Sequence, residues 1–436
     1  MDDGTAEVFA FTVTDPVKNM KKLANGINLN VLTTDKFQSV RIVAEFYAPF
    51  EKVTAANRAL LAQILEDSSA FFPNRQLLTK KLNTLYGAHF SVSTSRFGRL
   101  SKLRFALKIP SPQAAGDQQL LAKSFNFLSG QIFNPLIVDG LFPEHLFENE
   151  KQNFLSEFLA NFDNKSYKLH DLILKKYFVN PDFRIQPEGS PLSIRQLTNE
   201  TVVSAYRAMR ANDEMSLEVA GLLSELEVEK LVASWPNVSQ NSRPIPNPVY
   251  TQAVKPDQFA ELHEKGDQAL LERAYNFLDY DYLTQQRYTA MVFSRLFGGS
   301  SQSLLFLNIR EKLHLAYYAN STFFAVDGWM TVQAGLDKDN VELVKNEIDL
   351  QLERVKKQDF SNDLFTTIKE ELVAAIQAGE DYEETAIEKS INAFLTGYAL
   401  SSSQIIAVIQ SVTPQQVADF ANKSVKQAEA VLINED

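Results

Sequence analysis

Residues 296–317 read LFGGSSQSLLFLNIREKLHLAY, and this stretch carries the most specific pattern in the chain. Gly298 and Gly299 favour a turn, because glycine accepts backbone conformations that other residues avoid. The residues that follow predict a helix over 301–312 and a strand over 316–324. The glycines could be taken for a phosphate-binding loop, but the stretch lacks the P-loop spacing and its Lys-Ser/Thr ending. We therefore interpret them as a structural turn.

The chain divides into two halves of similar size at a proline-rich segment. Prolines deny a helix or a central strand and favour an extended connector, and five of them lie in this segment: Pro236, Pro244, Pro246, Pro248 and Pro256. Each half mixes antiparallel strand patterns with helices, which predicts a duplicated α+β unit. We expect domains over 1–235 and 258–436, joined by a linker over 236–257.

Hydrophobic periodicity predicts the individual elements of both halves. Apolar residues at helical spacing predict a helix over 55–67, and alternation predicts strands over 27–32 and 40–46. The other predicted strands are 90–93, 102–109, 215–220, 258–264, 316–324 and 329–336. The other predicted helices are 77–85, 115–131, 143–163, 199–211, 225–234, 284–297 and 301–312, with further helices from there to the end of the chain.

Composition and charge narrow the classes of function. Lys and Arg number 43 and Asp and Glu number 54, which gives a net charge of −11 and opposes non-specific attraction to nucleic acid or anionic membrane. The chain has no cysteine, which excludes disulfides and thiolate chemistry. No run approaches the ~20 apolar residues that span a bilayer, and the opening residues 1–4 are acidic where a signal peptide is basic. We expect a soluble, cytoplasmic protein without nucleic-acid or membrane partners.

Two further segments carry a resemblance. Residues 58–67 read RALLAQILED, and Glu150 and Glu157 have the spacing E-x6-E. Together with 296–317, these segments resemble the pitrilysin-like (insulinase) M16 zinc peptidases, in which an inverted His-x-x-Glu-His motif precedes an E-x6-E helix. The resemblance extends over most of the chain. It implies two similar domains, each a mainly antiparallel sheet with helices packed on one face, forming a clam-like chamber.

The same resemblance assigns positions to the family's zinc site. It puts Gln63 and Asp67 at the two histidine positions, Glu66 at the general base, Glu157 at the third ligand and Glu150 at its outer neighbour. An amide oxygen is a poor zinc ligand beside imidazole. A glutamate alone is a weak base toward water that no metal has acidified. We therefore expect no zinc cofactor and no peptidase activity from the chain alone.

The sequence allows two other metal sites, and each of them has a structural interpretation as well. Glu66, Asp67 and Glu157 could hold a hard cation such as Mg²⁺ or Ca²⁺ through oxygen ligands. We favour a helix-surface remnant that is partly paired with lysines. His145 and Glu148 stand at i, i+3 and could bind a metal, but a surface hydrogen bond is the commoner role of such a histidine.

Arg310 and Tyr317 fall where the resemblance implies an arginine and a tyrosine that line the substrate chamber opposite the zinc. A tyrosine hydroxyl and a guanidinium could bind a peptide backbone or stabilise charge on an attacked carbonyl. In the alternative interpretation, Arg310 pairs with a neighbouring acid and Tyr317 is a half-buried strand residue. The sequence leaves both open.

One face of the predicted strand 102–109 is basic. Lys102, Arg104 and Lys108 alternate with apolar residues, so they share a face of the sheet. This face could receive an acidic peptide or partner, or it could be a solvated sheet face.

The resemblance favours a non-catalytic subunit of an M16-type assembly, which binds peptide in extended form and pairs with a zinc-bearing homologue. In this respect the chain is similar to inactive members found beside active ones in Gram-positive bacteria, some of them named for association with elongation factor P modification. A homodimer is also possible. The rival hypotheses are an active zinc metalloendopeptidase with a shifted site, and a peptide-binding or scaffold protein without proteolysis.

Overall fold

The computed structural model of the chain describes residues 20–241 and 244–435, and it contains two β-sheets packed against helices. The expectations made for residues 1–4 and for residues 242–243 of the linker lie outside the described residues. The predicted α+β architecture of two similar halves, with mainly antiparallel sheets, is confirmed.

The first half builds a sheet with strand order β1-β2-β6-β3-β5-β4, in which β2 and β6 are parallel and the other neighbours are antiparallel. A short 3₁₀ turn lies at Pro181–Arg184. In chain order the elements are β1 (Lys21–Lys22), β2 (Ile27–Thr33), β3 (Ser39–Pro49), α1 (Lys52–Asp67), α2 (Arg75–Thr84), β4 (His89–Phe97), β5 (Leu100–Pro110), α3 (Pro112–Ala115), α4 (Leu120–Phe133), α5 (Glu144–Asn161), α6 (Lys165–Tyr177), α7 (Pro191–Arg195), α8 (Asn199–Asn212), β6 (Glu214–Gly221) and α9 (Glu225–Ala233).

The second half builds a sheet with strand order β7-β11-β8-β10-β9, in which β7 and β11 are parallel and the other neighbours are antiparallel. A π-helical segment, Phe306–Lys312, precedes β9. In chain order the elements are β7 (Gln258–Lys265), β8 (Ala269–Phe277), α10 (Gln286–Phe297), β9 (Ala316–Phe324), β10 (Trp329–Leu336), α11 (Val341–Lys356), α12 (Asn362–Gly379), α13 (Glu383–Thr396), α14 (Ser402–Ser411), α15 (Pro414–Asn422) and β11 (Ser424–Glu435).

The two sheets share one topology. In each, the last strand of the half inserts in parallel beside an early strand, β6 beside β2 and β11 beside β7, and a hairpin (β4–β5 or β9–β10) completes the other side. The helix that follows β3 packs on the first sheet: α1 does so with Leu60, Leu61, Ile64 and Leu65, all fully buried. This correspondence supports duplication of one α+β unit.

Each sheet is covered on its other face by a helix from the opposite half. α6 contacts β7, β8 and β11, and Leu169, Ile173 and Tyr177, spaced four apart, pack in one cluster with Trp329 and Leu432. α13 contacts β3 and β6 and inserts an equivalent stripe of Ile387, Ile391 and Leu395. The chamber expected between the halves is therefore not lined by bare sheets.

Several predicted elements differ from the structure. The helix predicted over 115–131 is broken after Ala115, because Gly116 adopts a left-handed φ of +66° that ends α3. α6 was missed, since its apolar stripe is set among five charged residues. β8 was missed because it is buried on both faces and shows no alternation.

The end of the chain was predicted wrongly. Helices were expected there, whereas the chain finishes on β11, which pairs with β7 and β8. Its central residues Ala428, Glu429 and Ala430 do not favour a strand by themselves, so the pairing of distant segments decides its conformation. Within the described residues, no helix has the length and apolar character needed to cross a bilayer.

Candidate functional site

The positions that the sequence assigned to a degenerate zinc site lie together on two neighbouring helices. α1 carries Gln63, Glu66 and Asp67 near its C-terminal end, and α5, which carries Glu150 and Glu157, packs beside it. Gln63 Nε2 donates a hydrogen bond to Glu157 Oε2 at 3.2 Å. The fold therefore brings together the two residues that the resemblance assigns to the first histidine and the third zinc ligand.

Glu66 is bonded to the edge of the first sheet. Its Oε2 accepts a hydrogen bond from the backbone N–H of Val92, at 3.3 Å, on the edge strand β4. Burial raises the pKa of Glu66, and the charge of Asp67 adds to the shift, whereas the Val92 bond, Arg75 and His89 oppose it. The carboxylate at the general-base position thus has a structural partner.

The neighbouring acids are only weakly compensated by cations. Asp67 Oδ1 lies 3.7 Å from Nε of Arg75, whose side chain is 78% exposed, and exposed pairs of this kind contribute little. Burial raises the pKa of Glu150, and the charges of Asp67 and Glu157 raise it further. These residues form an acidic cluster whose members repel one another.

The residues at these positions do not fit a catalytic zinc ion. Such an ion needs three converging ligands and an open fourth position. In the part of the chain that the structure describes, no three His, Cys, Asp or Glu side chains converge in this way. His145 is exposed on α5 and joins no such group with Glu148. The geometry supports neither that pair nor the hard-cation alternative.

A double substitution tests this account of the site. We expect Gln63→His with Asp67→His to bind about one zinc per chain, because the contact between Gln63 and Glu157 puts the new imidazoles beside a carboxylate ligand. Elemental analysis of the purified variant measures this, with the unsubstituted chain as the zinc-poor reference. A third change, Glu157→Gln, should lower the zinc content again. A folded double variant without zinc would show that the two helices are not placed for coordination.

A concave surface of about 560 Å³ in the second half is lined by Arg310, Tyr317 and neighbouring residues. Arg310 lies on the π-helical segment, a conformation that is frequent at functional sites. Its guanidinium lies 4.8 Å from the centroid of the Phe306 ring, and its Nε is 3.6 Å from Oε1 of Glu311. This ion pair is long, and the side chain is 46% exposed, so the cation is accessible to a ligand.

Tyr317 lies in β9, the edge strand of the second sheet, and is 56% exposed. Its hydroxyl donates to Asp337 Oδ1 at 2.7 Å. This hydrogen bond and the charge of Asp337 raise the pKa of Tyr317, so the hydroxyl stays protonated at neutral pH. The interpretation of Tyr317 as half-buried is wrong, whereas the alternative of a neighbouring acid for Arg310 agrees with the Glu311 contact.

Two further residues of this surface were missed from the sequence. Asp337 directly follows β10, where a register shift between Gly335 and Leu336 leaves Tyr317 without a partner in the ladder, and the Tyr317 hydroxyl reaches Asp337. Pairing the two predicted strands as a hairpin could have found it. His314 lines the same surface from a turn with a left-handed φ of +53°; no sequence pattern marked this conformation.

Tyr317 also lines a second concavity, of about 460 Å³, which reaches the turn after α5. Its other residues include Asp163, Asn164, Lys165 and Ser166, and α5 is the helix that carries Glu150 and Glu157. We call the two concavities together the Tyr317 groove. The groove therefore runs from Arg310 to the end of a helix that bears the degenerate zinc positions.

The basic strand face predicted from the sequence is covered by α13. Lys102 Nζ lies 3.3 Å from Glu45, and Lys108 Nζ lies 2.9 Å from Glu383. Arg104 binds Glu45, Glu384 and Glu388. For Lys102 and Arg104 both interpretations, an open ligand surface and a solvated face, are wrong. Because the acids of α13 lie almost 300 residues further along the chain, no local sequence pattern could predict these contacts.

Comparisons with known proteins agree with this fold. A sequence model described as Peptidase M16 inactive domain matches residues 196–372. The chain is 25% identical to a probable inactive metalloprotease, YmfF, of Bacillus subtilis, over 93% of this chain and 96% of that protein. A conserved protein of Enterococcus faecalis superimposes with a TM-score of 0.89 and 28% identity, covering 96% of this chain and 99% of the other.

A peptidase M16 inactive domain of Pseudomonas fluorescens has the same fold, with a TM-score of 0.77, 14% identity, and coverage of 96% and 98% of the two chains. The duplicated α+β halves define a chain of two similar units. The chain is similar to inactive members of the M16 peptidases, and its sequence contains no His-x-x-Glu-His motif.

Proposed function

We propose that this protein is a non-catalytic subunit of an M16-type peptidase assembly, which binds an extended peptide and supplies Arg310 and Tyr317 to a site shared with a zinc-bearing homologue. One observation carries the proposal: the Tyr317 groove presents an accessible guanidinium and hydroxyl, while the zinc positions hold an amide and engaged carboxylates. The groove that would bind substrate keeps its arginine and its tyrosine, whereas the positions that would hold a metal ion have no histidine.

The edge of β9 supplies a place for an extended peptide to add as a strand. The backbone N–H of Ser321 donates to Gly298 O at 3.0 Å, so the glycine turn covers the C-terminal part of this edge. A Cβ on Gly298 would lie 2.7 Å from the Ser321 nitrogen, which explains why this turn needs glycine. The N-terminal part of β9, with Tyr317, borders the groove, and there a peptide would meet Arg310.

The decisive experiment is peptide hydrolysis by a zinc-bearing M16 homologue encoded in the same organism, with and without this chain. We expect cleavage in the mixture, little cleavage by this chain alone, and a loss of about tenfold or more with Arg310→Ala, because a hydrogen bond to a charged group contributes ~1.5–3 kcal/mol. Tyr317→Phe should cost up to about tenfold, the upper end for a neutral hydrogen bond of ~0.5–1.5 kcal/mol.

Matched controls separate the groove from general effects. Arg207, exposed on α8, and Tyr382, 63% exposed, lie outside the groove, so Arg207→Ala and Tyr382→Phe should leave cleavage unchanged. Cleavage by this chain alone, at one zinc per chain, would establish the shifted-site peptidase instead. Peptide binding without cleavage in any mixture would leave the binding or scaffold function.

The remaining expectations belong to the same proposal. We propose a cytoplasmic location, domain bounds of 1–235 and 258–436, and pairing with a homologue in preference to a homodimer. Size-exclusion chromatography with light scattering, on the chain alone and with the homologue, distinguishes the two assemblies. A stable homodimer that excludes the homologue would contradict the pairing.

A further inference from the structure

Two of the contacts that join the halves each contain a buried or partly buried ionisable group. The first is the contact of α13 with the first sheet, and the second is the contact of α6 with the second sheet. We call these two contacts the interdomain latch. The α13 contact lies outside the Tyr317 groove, whereas the α6 contact shares Leu270 with it, and neither contact contains the degenerate zinc positions.

Glu218 is the ionisable group of the α13 contact. It lies on β6, fully buried, with its Oε2 accepting a hydrogen bond from Asn30 Nδ2 at 2.8 Å. The same amide nitrogen donates to the hydroxyl of Ser390 on α13 at 2.6 Å. Glu218 is thus linked through one amide to the helix of the opposite half. Among the described residues, no lysine or arginine forms an ion pair with it.

The charges around Glu218 do not balance if it is ionised. Four cations reach this interface from β3 and β5, and they pair with Glu45 on β3 and with three acids of α13. Tyr47, also buried, donates its hydroxyl to Glu45 and stays neutral. Five carboxyls therefore face four cations: Glu45, Glu218, Glu383, Glu384 and Glu388 against Arg41, Lys102, Arg104 and Lys108. Neutrality is reached when Glu218 carries a proton.

The pKa of Glu218 agrees with this charge count. Burial raises the pKa of Glu218 to about 7, the hydrogen bond from Asn30 opposes the shift, and the charges of Glu45 and Glu388 add to it. Because burial is the largest cause, detachment of α13 would return the group toward its ordinary pKa. The closed contact therefore retains a proton that the open one releases.

His170 is the ionisable group of the α6 contact. Its Nδ1 lies 2.7 Å from Oε1 of the almost fully buried Glu272 on β8, and its ring stacks on Trp329 at 6.1 Å. Burial acts to lower the pKa of His170, but the hydrogen bond and charge of Glu272, with Asp171, outweigh it and raise the pKa against the opposing charge of Arg96. Protonation thus converts this contact into a buried ion pair.

We propose that the interdomain latch is sensitive to pH and holds the halves together more firmly at acidic than at alkaline pH. Both groups act with the same sign. Glu218 has a raised pKa in the closed state, so its contribution falls as pH rises from its ordinary value toward about 7. His170 also has a raised pKa in the closed state, so its ion pair with Glu272 is lost as the pH rises through the pKa of His170.

Hydrogen exchange of the full chain measures the latch directly. The protection of α13 amides, corrected for intrinsic exchange, should fall between pH 5 and 7 and level off above, while amides of α4 in the first core stay constant. Release of one proton corresponds to about tenfold per pH unit in the opening equilibrium, and we expect at least threefold.

The variant Glu218→Gln keeps the shape of the side chain and removes its ionisation. We expect Glu218→Gln to abolish the pH dependence of α13 protection and to leave the pH dependence of α6 protection unchanged. We expect His170→Gln to abolish the pH dependence of α6 protection and to leave that of α13 unchanged. Glu225→Gln, at the start of α9, is the exposed control. A change of less than threefold per pH unit in the unsubstituted chain, or an unaltered slope in Glu218→Gln, would overturn the proposal. The peptide-hydrolysis experiment is independent of either result.

Discussion

Replacing Arg96 by methionine should destabilise the protein by about 3–5 kcal/mol, the cost of leaving a buried charge without its partner. Arg96 lies on β4 of the first half and binds both carboxylate oxygens of Asp327, in the β9–β10 connection of the second half, at 2.8 and 3.1 Å. Their side chains are 13% and 9% exposed. The guanidinium also lies within 6 Å of three ring centroids, which the aliphatic replacement cannot match: those of Phe50, Phe178 and Phe183.

Urea unfolding, followed by probes in each half, measures this effect. Because the pair joins the halves, we expect Arg96→Met also to separate the two unfolding transitions. Arg354→Met is the matched control: Arg354 pairs with Asp359 at a similar 2.9 Å, but Asp359 is 69% exposed, so its loss should cost less than about 1 kcal/mol. Equal effects of the two substitutions would show that burial of the Arg96 pair is unimportant.

Gly98→Ala should destabilise the protein by about 3 kcal/mol through two effects. Gly98 forms the β4–β5 turn with a left-handed φ of +56°, which costs a residue with a Cβ roughly 1–2 kcal/mol. The new Cβ would also lie 1.8 Å from the carbonyl oxygen of Pro248 in the linker. That oxygen accepts the N–H of Arg99 at 2.8 Å, so the linker could move only by losing this bond.

Gly87→Ala separates the two effects. Gly87 has a similar φ of +72°, but nothing lies within 4 Å of its added Cβ, so this substitution should cost only the conformational ~1–2 kcal/mol. Thermal or urea unfolding of both variants compares them. If the two glycines respond alike, the linker does not pack closely over the turn.

The sequence predicted much of the fold because periodic patterns report local geometry. The stripe of α1 was found from its helical spacing, and β2, β3 and β5 were found from the apolar and polar residues that alternate along them, although most of these residues are buried. The elements that were missed lack such a pattern. β8 shows no alternation, and β11 is a strand because of its pairing with β7 and β8.

The candidate site was predicted in part for the same reason. The resemblance to the M16 peptidases assigned Gln63, Glu66 and Glu157 to one site, and the structure brings Gln63 and Glu157 into contact. The sequence could not reveal that Glu66 binds the edge strand at Val92, or that Asp337 bonds to Tyr317. Each of these contacts joins two segments whose relative register no single segment encodes.

The sequence by itself determined the chemistry that this protein can bring to a site: an amide and a carboxylate where imidazoles would hold zinc, and an arginine and a tyrosine at the spacing of the M16 family. Only the tertiary structure decided which of those groups remain accessible. Arg310 and Tyr317 stay exposed in a groove, whereas Arg104 is covered by acids that lie 280 and 284 residues away in the chain. Accessibility depends on which element packs against a surface. Because each half is covered by a helix from the other half, no local sequence pattern predicts which side chains are covered.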